Sequence, residues 1–178
     1  DAYNTAVGSN AGGAVTTGTL NTLIGGLAGD ALTDSDRNTA IGYNALSSDT
    51  LGQYNTAVGF GSFTTQNFTT ATNSYNTGLG YQAGMSVTTG VQNTLIGGLS
   101  GDALTDADYN VALGYNSLTA DTLGSRTIAI GYAALQKQNF TTATDSYNVA
   151  IGHAAGVEVT TGVQNTLIGG LAGDALTD

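Results

Sequence analysis

The sequence predicts an all-β fold, a parallel β-solenoid (β-roll) of ten short rungs, and three observations predict it. A five-residue motif (Asn, a β-branched residue, a small residue or Leu, an aliphatic residue, Gly) recurs ten times along the 178 residues. The glycines that close it are Gly8, Gly25, Gly42, Gly59, Gly80, Gly97, Gly114, Gly131, Gly152 and Gly169, in steps of 17 that lengthen to 21 after Gly59 and after Gly131. Such a turn is too short for a pair of helices, and within the motif the side chains alternate as in a strand. Each rung is therefore read as one short strand and a return segment. Ten rungs at about 4.8 Å give a rod of roughly 50 Å.

Four rungs form a longer period: the text from Met85 to Asp106 recurs from Val157 to Asp178, changed only where Val157, Glu158 and Ala172 replace Met85, Ser86 and Ser100. The chain is thus one array over residues 1–178, made of the units 1–72, 73–144 and a partial 145–178. Asp1 falls in register with Asn73 and Asp145, and Asp178 with Asp106 and Asp34; no start Met and no capping sequence flank the array. The expectation is a fragment of a longer fibre, because terminal repeats of natural solenoids usually differ from the rest.

The positions of the motif have separable duties. Three residues before each closing Gly stands Thr, Val or Ile, and one before it an aliphatic residue, as in Thr22 and Ile24; these share a strand face. Two before the Gly, on the opposite face, stand Ala6, Leu23, Ala40, Ala57, Leu95, Ala112, Ala129, Ala150 and Leu167, with Gly78 in the remaining rung. A strand apolar on both faces is buried on both. One face fills the solenoid, and the other requires identical chains to cover it, so these residues are expected at a trimer axis or in the core. Three after each Gly come only Ala or Ser, which suggests a crowded corner. Asn opens nine motifs, Thr127 being the exception, and stacked Asn is expected to form amide ladders or occupy left-handed turns. The tyrosines fall into two columns, before the motif Asn and after the motif Gly. Stacking explains them, with a carbohydrate platform as the alternative.

Composition excludes several classes of function. Thirteen acidic residues against three basic ones leave a net charge of −10, which repels nucleic acid. No run of about 18 apolar residues exists for membrane insertion, and without Cys there is neither disulfide framework nor thiolate zinc site.

Repeats such as NTAVGSNAG from Asn4, NTAIGYNAL from Asn38 and NVALGYNSL from Asn110 resemble the heads of trimeric autotransporter adhesins. They are still more similar to repeats in bacteriophage tail fibres. The resemblance covers every rung and implies a left-handed parallel β-roll, with three chains intertwined and inner strands at the threefold axis. The two rung lengths, 17 and 21, depart from the adhesin head, so its outer loops do not transfer.

Signs of chemistry are sparse. His153 is the single His, in a column otherwise held by residues such as Ser9, Tyr43 and Phe60, and no triad or paired acids accompany it. No catalytic residue, cofactor or metal is assigned. The turn GGLAGDALTDSD from Gly25 approaches a calcium repeat, with Asp30, Asp34 and Asp36 as potential ligands, but Ala replaces its fourth-position Gly. The four-residue insertion of the longer rungs is the best candidate for a displayed surface: Gln66, Asn67, Phe68 and Thr69, repeated as Gln138, Asn139, Phe140 and Thr141. The functional expectation is a non-enzymatic, extracellular fibre segment of a phage tail that spaces or presents receptor-binding elements. It would be a homotrimer, with a host-surface glycan or protein as partner. The alternatives are a bacterial adhesin head and, behind it, an ice-binding solenoid.

Overall fold

The computed structural model describes residues 2–178; Asp1, one of the residues read above as in register, lies outside them. In chain order the strands are β1 (Thr5–Val7), β2 (Thr22–Ile24), β3 (Thr39–Ile41), β4 (Gly52–Gln53), β5 (Thr56–Val58), β6 (Thr72–Asn73) and β7 (Thr77–Leu79). They continue as β8 (Thr94–Ile96), β9 (Val111–Leu113), β10 (Gly124–Ser125), β11 (Ile128–Ile130), β12 (Thr144–Asp145), β13 (Val149–Ile151) and β14 (Thr166–Ile168). The three-residue strands are the motif itself. They stack in parallel as one ten-stranded sheet, each motif in register with the next, as in Thr39↔Thr56 and Ile41↔Val58. The pairs β4–β6 and β10–β12 are small parallel sheets on the return side, where a short rung meets a long one. The β-solenoid read from the sequence is the fold.

Between strands the chain turns at left-handed residues, and most of these are not glycine. The residue before the motif Asn is left-handed in every rung, from Tyr3 (φ 52°) to Gln164 (φ 59°), as is the second residue after each Gly, including Leu27 and Leu99. The fourth residue after Gly behaves alike, even at Leu46 and Phe63. Such conformations cost a non-glycine residue of order 1 kcal/mol or more and persist where the surroundings over-determine them. Here the determinant is the adjacent rung. Arg37 N–H donates to Thr19 O, Asn44 N–H to Gly26 O and Leu46 N–H to Ser62 O, so the corners are hydrogen-bonded between rungs just as the strands are.

The motif Asn is buried and not left-handed, contrary to the turn role expected for it. Nor does it build mainly an amide-to-amide ladder. Asn21 Oδ1 accepts the backbone N–H of Asn38 at 2.9 Å, and Asn38 Oδ1 that of Asn55 at 2.9 Å. The amide group reaches across the interior instead: Asn21 Nδ2 donates to Ser35 O at 2.7 Å and Asn93 Nδ2 to Ala107 O at 2.7 Å. Seven of the nine motif Asn thereby brace their strand against the return segment; Nδ2 of Asn55 and of Asn165 makes no such bond. At Thr127 the hydroxyl shares a 2.6 Å hydrogen bond with Ser146 Oγ, which in turn accepts the Asn148 N–H at 3.3 Å.

The structure chooses between the two places expected for the small-or-Leu column. Leu23, Ala40, Ala57, Leu95, Ala112, Ala129 and Ala150 line the solenoid's own core; Ala6 and Leu167, in the first and last rungs, are less covered. No axis runs along them. A strand this short, preceded by an Asn whose side chain points inward, presents its middle residue to the lumen and its Thr and aliphatic neighbours outward. The uncovered face is therefore the one that carries the Thr and aliphatic columns.

The core is filled by reciprocal size. Rungs with Leu in this column carry Gly four residues after the closing glycine, as in Leu23 with Gly29 and Leu95 with Gly101. Most interior rungs with Ala there carry a large residue at the second position: Ala40 with Leu46, Ala57 with Phe63, Ala112 with Leu118 and Ala129 with Leu135. Where both positions are small, neighbouring rungs supply the bulk. Beside Ala150, a Cβ on Gly156 would lie 2.8 Å from Leu167 and 2.9 Å from Leu135. At Gly78 and Gly84, Phe63 from the rung before occupies the space: an added Cβ would lie 2.7 Å from its ring at Gly78 and closer still at Gly84. The expected crowding three residues after Gly also holds, with Ala45, Ser62 and Ala83 fully buried.

The closing glycines are needed by both geometry and space. At Gly42, φ is +134° and a Cβ would collide with the carbonyl oxygen of Gly59. Gly42→Ala is expected to lower stability by about 3 kcal/mol or more. At Gly98, where a Cβ meets only the Tyr115 ring at 3.3 Å, the same change should stay within about 0.5 kcal/mol. Denaturant unfolding of the two variants checks the contrast.

Candidate functional site

Turning the core column inward leaves four columns on the outside of the ten-stranded sheet. At the centre run the threonines and the aliphatics, Val7 to Ile168, with Leu79 46% and Leu113 42% exposed. Two flanking columns project further. After the closing glycines Tyr43, Phe60 and Tyr81 stack at 5.6 Å per step, and Tyr115, Tyr132 and His153 at 6.0 and 5.1 Å. Before the motif Asn, Tyr54 stacks on Tyr75 at 5.0 Å, while the guanidinium of Arg37 lies 5.2 Å from the Tyr54 ring and that of Arg126 lies 4.8 Å from Tyr109. The face is a shallow trough, floored by Thr and aliphatics and edged by aromatics. Because the rings cover one another's faces, they present mainly edges to solvent, which counts against a stacking platform for sugars. His153 is an exposed surface residue closing one of these stacks.

Charge is divided unequally over the rod. None of the thirteen acidic residues stands in these four columns, whereas Arg37 and Arg126 do. The face measures roughly 20 Å by 50 Å, about 1,000 Å².

The inserted loops are placed differently from expectation. Gln66, Phe68, Gln138 and Phe140 are buried, the Phe68 and Phe140 rings turned inward beside Gly52 and Gly124 of the preceding rung; Asn67, Thr69, Asn139 and Thr141 are exposed. Pairing of Gly52 with Thr72 directly after the Leu51 N–H to Phe68 O bond shows that residues 69–71 bulge outward. What holds the bulge is a buried carboxylate that the sequence reading did not single out. Asp49 Oδ1 accepts the N–H of Gly52 and of Phe68, both at 3.0 Å, and its Oδ2 accepts Gln66 Nε2–H at 2.7 Å. Gln66 Oε1 in turn accepts Asn76 Nδ2–H at 2.9 Å. Asp121, Gly124, Phe140, Gln138 and Asn148 repeat the arrangement. The available signal was an Asp three residues before a Gly, present ahead of the long rungs alone.

The aspartates considered for calcium are dispersed. Asp34 Oδ1 accepts the Thr17 hydroxyl at 2.7 Å, Asp36 Oδ1 accepts the Thr19 N–H at 2.6 Å, and Asp30 lies nearest Asn10 Nδ2 at 3.5 Å. Among the described residues no three His, Cys, Asp or Glu side chains gather into a metal site. Asp102, the counterpart of Asp30, has its carboxyl pushed above the usual range by burial, against the opposing hydrogen bond from the Thr119 hydroxyl.

Compared with family models, curated proteins and solved structures, the chain matches none.

Two outcomes are expected. Asp49→Ala strands three buried donors, at a cost of about 3–5 kcal/mol. Amide exchange should accelerate at Gly52 and Phe68 while the equivalent amides around Asp121 stay protected. For Asp102 the folded pKa is raised, so the native state holds this proton better than the unfolded chain does. Its contribution to stability is greatest in acid and declines as pH rises through the carboxylate range. Asp102→Asn, which keeps an acceptor for Thr119, should therefore be more stable than the parent at neutral pH and equal to it in acid, as thermal melts at the two pH values would show.

Proposed function

We propose that this chain is a structural and adhesive fibre segment, a rigid spacer that carries its inserted loops outward and packs against identical chains through the outer sheet face, as a homotrimer. One observation carries the reading: a largely apolar face, with no acidic residue in its four columns and with the bordering Asp36 and Asp145 paired to Arg37 and Arg126, runs the length of a chain whose net charge is −10. Exposed apolar surface of this extent marks an interaction site, and about 800 Å² per partner suffices for a standard interface. A copy of the same chain meets little carboxylate repulsion there, because the two carboxylates that border the face, Asp36 and Asp145, are neutralised by Arg37 and Arg126. The repeats favour a phage tail fibre, outside the cell, with the head of a bacterial surface adhesin as the runner-up. Its partner would be a host-surface glycan or protein, contacted weakly by each loop and additively by the assembly.

The outward threonine column favours a second reading, ice binding, more than the sequence alone did. Against it stand Val111, Ile128 and Val149 in that column and the half-exposed aromatics that flank it. A thermal-hysteresis assay separates the two.

Light scattering and sedimentation equilibrium should find a trimer, and Ile41→Asp with Ile130→Asp should weaken assembly by about tenfold or more. A stable monomer at all concentrations would overturn the packing. Alanine at Asn67, Thr69, Asn139 and Thr141 should abolish binding to an array of bacterial surface glycans without affecting assembly; retained binding would remove the loops from the reading.

A further inference from the structure

Apart from Ser9 in the first rung, the aromatic column after the closing glycines is interrupted once in every four rungs, by Gly26, Gly98 and Gly170. Gly26 and Gly98 stand where nearby rungs carry Tyr43, Tyr81 and Tyr115. The backbone does not ask for glycine at either place, since neither has a positive φ. Space does not ask for it either. A Cβ at Gly98 would meet the Tyr115 ring at 3.3 and 3.7 Å, and one at Gly26 the Tyr43 ring at the same distances. Both rings are half exposed and free to yield. The chain's own fold would thus accept a side chain at both positions, and leaving them bare cuts a notch in the ridge. At Gly98 the notch lies between Tyr81 and Tyr115. These stand two rungs apart, about 9.6 Å along the rod. Aromatic pairs separate by roughly 4.5–7 Å between centroids, so the gap has room for one inserted ring or Leu-sized side chain.

We infer that these notches are sockets for a side chain from a second copy of this chain, and that they fix the axial register in which copies associate. The inference rests on the self-association proposed above. Two features select a second copy as the occupant. The glycines recur every four rungs, roughly 19 Å, at Gly26, Gly98 and, in the last rung, Gly170, and a partner with the same repeat offers its projections at that same interval and fills successive notches at once. No acidic residue stands in the four columns of the face, and the two carboxylates at its border, Asp36 and Asp145, are paired with Arg37 and Arg126, so a strongly acidic chain can approach it.

Gly26→Tyr with Gly98→Tyr tests the sockets. Circular dichroism and the unfolding of the single chain should be unchanged, while sedimentation equilibrium should show association weakened about tenfold or more, with Gly98→Ala close to the parent. Tyr81→Ala removes one wall without adding bulk and should weaken association in the same direction. If the tyrosine and Tyr81 variants assemble as tightly as the parent while Ile41→Asp with Ile130→Asp does not, the sockets are overturned and the face stands. If the parent itself never associates, both fall.

Discussion

Everything in this rod depends on hydrogen bonding along its axis. Strands alone could carry that bonding, with corners that merely connect them. Here the corners are bonded just as fully, and this makes left-handed Leu27, Leu46, Tyr54 and Phe63 tolerable. A left-handed residue in an isolated turn gives up local energy for nothing. In a stacked array its N–H donates to a carbonyl of the adjacent rung, and breaking the conformation would leave that donor unpaired. The inward Asn column adds a second axial chain, from each Oδ1 to the next backbone N–H, and ties the strand wall to the return wall within the rung. Strict register follows from these two systems together.

Given that register, packing becomes a problem of neighbours. A lumen one side chain wide cannot hold two large residues in one rung, so Leu23 requires Gly29 and Phe63 requires Ala57, Gly78 and Gly84. The four-rung period is therefore more than a duplicated text: it is the shortest stretch over which this sequence of large and small residues closes on itself. Conversely, length can change only where a rung leaves the lumen. Residues 69–71 bulge there, and the cost of departure is met by a buried Asp whose two oxygens collect the stranded donors.

The rung count, the strand positions, the role of the closing glycines and the small corner residues were all legible in the sequence, because each repeats at one offset and has a steric cause. The direction in which the strand faces was not. Alternation shows that Thr22 and Ile24 oppose Leu23, but both sets are largely apolar, and the inward hydrogen bonds of the neighbouring Asn21 decide that Leu23 goes in. The left-handed corners were illegible for a related reason: Tyr, Leu, Arg and Gln carry no local preference for that conformation, and the neighbouring rung imposes it. Gln66 and Phe68 looked like display residues because an insertion suggests exposure. Their burial depends on Asp49, one rung earlier in the chain, a relation visible only once the rungs are stacked.

Axial bonding also sets how such a rod bears load. The strands lie across the long axis, so a pull on the two ends of a single chain opens the bonds of the outermost rung first and leaves those behind it untouched. Detachment then proceeds like a zip, each rung releasing on the order of 60 Å of chain before the next is stressed. One chain alone is stiff against bending yet weak when peeled from an end. Lateral contact along the sheet face would change the mode of failure, because a rung held by its neighbours cannot leave without shearing past them.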